Sequence, residues 1–391
     1  MKDQSLIVLY SSYAIYNISV GLYSSFLSIH LLSIGSSIFL ISLLSSVPAL
    51  IIVLVTPFWG MISYRMRSKK MLMMLGMMAN ALCLLSFLFL RVPVQYVAML
   101  GVFTAFICAL EPNLEAFLTQ AMTKRGRAGG LLLTSRSLGM AIGAMTGGIV
   151  FDTLGIQINF ALGFLFSLTA FIILSNIRED DVKGPKGLNL FSAAPYRTLL
   201  NDMNVIPVYL TVFLFSFGII IFSSLFPIYF IGIGGSKTLL GFTNSTIFII
   251  AILVSTPAGI LADRIGRKYI LVFGTLCCSM TTGILYFISD PLIIAVIWAF
   301  PLHPYISIAS IALIADHTTD QNRGVGMGLL IICQNIARVL GPITGSFLAD
   351  LVTLKGLIPI SALVLMFAFI SSIILIKEKA SSLISFREAN H

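Results

Sequence analysis

Along this chain apolar residues come in unbroken runs, not in alternation, and polar residues cluster in short gaps between them. Runs of ~20 apolar residues are long enough to cross a ~30 Å hydrocarbon core as helices. Continuous runs, in place of ten-residue alternation, predict helices and not barrel strands, because each helix satisfies its own backbone in lipid. Polar, Gly and Pro punctuation predicts runs near 6–32, 38–63, 70–90, 94–118, 129–151 and 158–177. A second set falls near 205–231, 238–262, 269–288, 291–316, 325–349 and 356–376. The one long polar stretch, 178–204 (REDDVKGPKGLNLFSAAPYRTLLNDMN), reads as a linker, and 377–391 as a tail. The expected fold class is an all-α membrane protein of twelve transmembrane helices, arranged as six-helix bundles over 1–177 and 205–376. The first run starts at Leu6 without a small-residue cleavage site and reads as a retained span.

Composition agrees. Hydrophobic residues make up 58% and charged residues 10%, against about 25% charged in soluble domains. The mean hydropathy is +1.02. The five cysteines, Cys83, Cys108, Cys277, Cys278 and Cys333, lie inside apolar runs without metal-ligand spacing. No metal or cofactor is expected.

Charge sets the orientation. The N-terminus, the tail and the loops after spans 2, 4, 6, 8 and 10 hold 19 of the 24 Lys and Arg. The opposite loops hold Arg91, Lys237 and Lys355, while Arg136 and Arg338 lie within spans. The positive-inside rule then predicts both termini and the linker in the cytoplasm, with the chain in the cell membrane. The +9 net charge reads as topology plus attraction to anionic membrane lipids, not as a nucleic-acid footprint. A monomer is expected.

The halves repeat. YSSFLSIHLLSIG (23–35) aligns with FSSLFPIYFIGIG (222–234), 199 positions on. RGRAGGLL (125–132) aligns with RGVGMGLL (323–330), 198 positions on. The same offset carries Gly143, Thr146, Gly147 and Asp152 onto Gly341, Thr344, Gly345 and Asp350. Six spans per half is even, so the halves share one orientation, and duplicated halves of this kind enclose a path with a site near the midplane.

GILADRIGRKYIL (259–271) closely resembles the G-x-L-A-D-R-x-G-R-K-x-x-L signature of the major facilitator superfamily, here between spans 8 and 9. A degraded copy, GMISYRMRSKK (60–70), keeps Gly60, Arg65 and Lys69 but has Tyr64 in place of the acid. GMAIGAMTGG (139–148) in span 5 is similar to the G-x-x-x-G-P-x-x-G-G pattern of the family's drug/proton antiporters, with Ala144 at the proline position. The span 4 arginine that those antiporters often carry is absent. The resemblance implies a secondary transporter working by alternating access, with spans 1, 4, 7 and 10 lining its cavity.

Physical chemistry gives the signature residues individual jobs. Gly259 is expected to admit a close neighbouring helix, and Gly266 to supply the positive φ of a tight turn. Arg264, Arg267 and Lys268 are expected to anchor that turn at the cytoplasmic face. Asp263, at the negative end of its own helix dipole, is expected to latch onto the N-terminus of span 11 near Arg323. The competing reading is a topogenic charge cluster without gating work.

Ionisable residues inside spans are costly and mark function or a partner. Glu111 lies ~10 Å and Arg136 ~12 Å from the cytoplasmic ends of spans 4 and 5, which predicts an ion pair. Glu115, one turn from Glu111, repels it when both are charged. Glu111 is either a proton carrier or half of a fixed clamp with Arg136. His303, between Pro301 and Pro304, is a second proton-coupling candidate or a buried residue bound to a carbonyl. Gln334, Asn335 and Arg338 fall near the midplane of span 11. Span 1 offers Tyr13, Asn17 and Tyr23, and span 7 offers Phe215, Phe222 and Phe226. These aromatics are either cavity walls for bulky lipophilic or cationic compounds or packing and interface anchors.

No P-loop, Ser/His dyad, HExxH or paired aspartates at matched depth occurs in the sequence, so neither ATP hydrolysis nor intramembrane catalysis is expected. The expected function is proton-coupled efflux of small amphipathic compounds. The alternatives are proton-coupled uptake of an organic anion, with Arg338 as counter-ion, or of another small solute, or a transporter-like membrane sensor.

Overall fold

The computed structural model describes residues 3–65, 69–121, 125–177, 205–300, 303–319 and 322–376. The linker expected at 178–204 and the tail at 377–391 lie outside the described residues. Within them the chain is helical, with no strand. The first half forms α1 (Asp3–Ser24), α2 (Leu27–Ser33), α3 (Ile38–Arg65), α4 (Lys69–Phe87), α5 (Pro93–Ile107), α6 (Leu110–Ala121), α7 (Arg125–Leu154) and α8 (Ile156–Ser175). The second forms α9 (Ile206–Ser223), α10 (Phe226–Gly232), α11 (Lys237–Ile265), α12 (Arg267–Ile284), α13 (Pro291–Trp298), α14 (His303–His317) and α15 (Arg323–Ile374).

Ten segments are long and apolar enough to span a membrane; α1 with α2, α5 with α6 and α9 with α10 each count as one. Two of the twelve expected runs are not separate among these ten. One is the run near 291–316, present as the short helices α13 and α14. The other is merged into the 52 residues of α15, which contain one non-helical residue, Thr353, at φ 71° and ψ 164°. A β-branched residue there is strained. Its counterpart 198 positions earlier is Gly155, at φ 88° and ψ 167°, where α7 ends and α8 begins. Thr353 thus holds the second copy of that corner.

The repeat reappears in the contacts. Ser19 Oγ donates to the Gly163 carbonyl (2.7 Å) where α1 crosses α8. At the matching crossing, Ser361 Oγ donates to the Gly218 carbonyl (2.6 Å), with glycine and serine exchanged between the helices. Each crossing needs one residue without a side chain and one short donor, and either helix can supply either.

The chain packs as two compact units. The first combines the first half with Pro227–Ile252; the second holds Gly187–Phe226 and the chain from Leu253. The core of the first includes Leu9, Tyr13, Tyr16, Met73, Leu110 and Leu174. That of the second includes Val212, Phe215, Leu271, Ala309 and Leu365. The start of α11 joins the first unit through glycine. A Cβ on Gly148 would lie 2.6 Å from the Lys237 carbonyl, and one on Gly241 2.5 Å from the Ala144 carbonyl. Backbones approach this closely only without side chains.

Candidate functional site

The first unit brings four of the expected residues together at membrane depth. Pro112 lacks an N–H and clashes with the carbonyl four residues back, so the fourth span breaks at Cys108–Ala109 and restarts as α6. Glu111 therefore sits in the first turn of a new helix, where backbone N–H groups and the dipole favour a carboxylate. Arg136 reaches it from α7, Nη1 to Oε1 at 3.0 Å. The Tyr13 hydroxyl donates to the same Oε1 at 3.3 Å. Asn17 Nδ2 donates to the Tyr13 carbonyl at 2.8 Å, steadying the turn of α1 that carries the tyrosine.

Glycines set this meeting. A Cβ on Gly139 would run into the Ala14 carbonyl and Asn17, and one on Gly143 into the Ile18 carbonyl. α7 thus lies on α1 backbone to backbone, and Arg136, one turn before Gly139, is carried to Tyr13 and Glu111. The Glu111 and Arg136 side chains remain 53% and 51% exposed, so the pair is held on one side and open on the other. Glu115 is exposed on the same face of α6.

The other aromatic candidates sit elsewhere. The Tyr23 hydroxyl donates to Asn80 Oδ1 (3.3 Å), and Asn80 Nδ2 bonds Ser19 and Ser167, a buried network joining α1, α4 and α8. In the second unit Phe215, Phe222 and Phe226 are at most 2% exposed. Phe226 stacks on Trp298 at 4.3 Å and Phe222 meets it edge-on at 5.5 Å. Trp298, the last residue of α13, was not singled out in the sequence. Asn335 is buried and donates to its own helix at Ile331. Gln334 is half-buried and Arg338 exposed.

The signature stretch divides. Gly266 takes φ 111° between α11 and α12, the turn its lack of a side chain permits. Arg267 pairs with Asp316 and donates to the Ala312 carbonyl at 2.9 Å. Asp316 is thus the partner of a signature arginine. Lys268 donates to the Ile373 carbonyl at 2.9 Å. Arg264 and Arg323 are exposed. A Cβ on Gly259 would meet nothing within 4 Å, which corrects the expectation of close helix approach there. The side chains of Asp263 and His303 lie outside the described residues.

A carboxylate seated on a helix N-terminus is present at Asp152. Its Oδ2 accepts from the Thr238 N–H (2.7 Å) and Oγ1 (2.6 Å) in the first turn of α11. The Lys237 ammonium is 3.7 Å from Oδ1 and 4.2 Å from the centre of the Phe151 ring. A carboxylate on a helix N-terminus is favoured by open N–H groups and by the dipole. The sequence carried part of the signal: Lys237 was one of the three cations read in the loops opposite the basic ones, and Asp152 was one of the repeated positions.

Known proteins resemble the chain along most of its length. A multidrug resistance protein, MdtG, of Proteus mirabilis is 27% identical over 84% of this chain and 83% of its own. An uncharacterized MFS-type transporter of Methanocaldococcus jannaschii is 26% identical over 67% and 69%. Among solved structures, the nucleoside transporter NupG superposes with a TM-score of 0.83 at 11% identity, covering 95% of this chain and all of that one. A bacterial homolog of the human lysosomal transporter Spinster gives 0.76 at 12%, covering 95% and 97%. The Major Facilitator Superfamily description itself matches residues 9–304 and again 208–390. With its spans, its repeated contacts and its signature turn, the chain belongs to the Major Facilitator Superfamily of membrane transporters.

Proposed function

We propose that this transporter has twelve spans, keeps both termini in the cytoplasm, and exports small amphipathic compounds in exchange for protons by alternating access. The observation that carries the reading is Glu111, a carboxylate at membrane depth held by Tyr13 and Arg136 on one side and half exposed on the other. A charge so placed in lipid would cost several kcal/mol; facing an aqueous cavity it can exchange a proton. Protonation would end the ion pair and release the Arg136 guanidinium, coupling proton occupancy to the packing of α1, α6 and α7. Multidrug resistance among the relatives' names supports efflux of lipophilic cargo. Asp152, Lys237 and Thr238 would hold α7 to α11 on the outer side and part when that side opens.

The test uses purified protein in liposomes with an imposed pH gradient and a fluorescent lipophilic cation as cargo. Wild type should concentrate the cation against its gradient and dissipate the pH difference. Glu111→Gln should keep downhill exchange and lose the response to pH. A variant that still follows the pH gradient as wild type does would overturn the carrier role.

A further inference from the structure

The far end of span 1 carries a titratable group that the Glu111 site does not use. The span is interrupted at Ser25–Phe26, and the seven residues of α2 follow as a separate piece. His30 lies in the middle of α2, 8% exposed. Its ring stands edge-on to Tyr96 at 5.4 Å and to Phe160 at 6.0 Å, and its Nε2 is 3.2 Å from the Tyr96 hydroxyl. That hydroxyl directs its one proton at the carbonyls where α4 ends, Leu90 at 2.9 Å and Phe87 at 3.3 Å. A carbonyl only accepts, so His30 Nε2 carries the hydrogen, the tyrosine oxygen receives it, and Nδ1 keeps its lone pair. Among the described residues this is the one side-chain hydrogen bond from α2 to another helix.

Among the described residues no carboxylate answers this histidine. Tyr96 is the titratable group that touches it; Tyr23 is bonded to Asn80, and Cys83 is buried one turn before Phe87. α5 and α8 carry no charged residue, and those of α3 and α4 (Arg65, Lys69 and Lys70) stand at the opposite ends of these helices. Arg91, beside Leu90, is exposed and has the sign of an imidazolium. Asp152, beside the Phe151 ring that Phe26 meets edge-on, is engaged by Lys237 and Thr238. In the second half Tyr229 takes the place of His30, and Ile294, Ile358 and Leu285 those of Tyr96, Phe160 and Phe87. A tyrosine does not change charge near neutral pH.

We propose that α2 is a flap released by protons: neutral His30 fastens it to Tyr96, and a proton from external water, taken up on Nδ1, frees it. Inside the fold the imidazolium would lie against the Phe160 and Tyr96 rings with no anion beside it. Outside it is met by water, so charge and release go together. The matching helix α10, with Tyr229, stays fastened, and the response belongs to the first half alone. The inference rests on the orientation and proton exchange proposed above: outer acidity, which drives export, would loosen the outer end of the unit that carries Glu111.

Hydrogen–deuterium exchange of the purified protein in detergent reads the release, and α10 serves as internal reference because both helices share the intrinsic effect of pH. A histidine that takes its proton only when released, at about pH 6.5, loosens its segment about ten-fold between pH ~7.5 and ~5.5. Protection over Leu27–Ser33 should therefore fall about ten-fold relative to Phe226–Gly232 on that step. His30→Gln keeps a donor for Tyr96 and does not titrate, so the fall should vanish. His30→Tyr, which installs the residue of the second half, should behave likewise, and Glu111→Gln should keep the fall. Equal changes in the two segments, a fall that persists without His30, or one lost in Glu111→Gln would each overturn the proposal. The exchange result depends neither on orientation nor on proton-coupled transport, which the liposome assay reads by itself. Orientation is read by an impermeant thiol reagent on Ser37→Cys, in the exposed turn after α2, in intact cells. Labelling is expected; protection would overturn the link to outer acidity, while exchange still decides the release.

Discussion

The two halves of this chain are built alike and charged differently. Where the first half holds Tyr13, Glu111 and Arg136, the matching positions of the second are Val212, Ala309 and Gln334, and Val212 and Ala309 are buried in apolar core. At the signature turn the asymmetry reverses: the second half pairs Arg267 with Asp316, and the first has Leu118 at the position of that acid. The contacts that hold helices together are kept, in the serine–glycine crossings and in the left-handed corners at Gly35 and Gly234 and at Gly155 and Thr353. Backbone approach is fixed by geometry and tolerates little change after duplication. A charge is free to leave one copy once the other carries it.

The largest effect should come from breaking what the halves share. Gly147 faces the Leu22 carbonyl, and its twin Gly345 faces the Ile221 carbonyl. A leucine side chain at either would have to displace backbone, costing at least the ~1–3 kcal/mol of overpacking. Gly147→Leu and Gly345→Leu should both fail to yield monodisperse protein on size-exclusion chromatography. A well-behaved variant at one site only would show that the scaffold, too, is lopsided.

Next in size is the charge that the halves do not share. Arg136→Gln installs the residue that the second half carries at this place. It removes a charged hydrogen bond of ~1.5–3 kcal/mol, so transport should fall about ten-fold or more with the protein still folded. Equal transport by wild type and variant would reduce the pair to decoration.

These residues also show what sequence can and cannot disclose. The spans were legible because lipid leaves a helix as the only solution for an apolar run, and the repeat was legible because its glycines and serines are fixed by contact. Helix breaks inside an apolar run leave hydropathy untouched, so the interruption at Cys108–Ala109 went unseen although Pro112 marks it. The Glu111–Arg136 pair followed from matched depth. The Arg267–Asp316 pair was not legible, because the two residues are distant in sequence and nothing in the pattern identifies them as neighbours. Tyr13 was read as either a cavity wall or a packing anchor, and its role in the pair came from the close α1–α7 contact.

A smaller effect belongs to Asp152. Its twin Asp350 is exposed, and the positions matching Lys237 and Thr238 are Ile38 and Phe39, which cannot answer a carboxylate. Asp152→Ala removes a helix cap worth ~0.5–2 kcal/mol and should lower the thermal midpoint. Asp350→Ala should leave it in place. Equal shifts would mean that the carboxylate latch is not confined to α7 and α11.

The smallest effect tests a contact that survived duplication in unequal form. Lys70 closes the end of α8 through two carbonyls, Ser175 and Ile177, and Lys268 closes the matching end of α15 through one, Ile373. A cation at the last turn of a helix is worth ~0.3–1 kcal/mol. Lys70→Gln should therefore lower stability slightly more than Lys268→Gln. The two sites lie in different units, so the double variant should show the sum within ~0.5 kcal/mol. Thermal unfolding of the four proteins side by side measures this directly. A double variant falling short of the sum by more than that would mean that one unit senses the capping of the other.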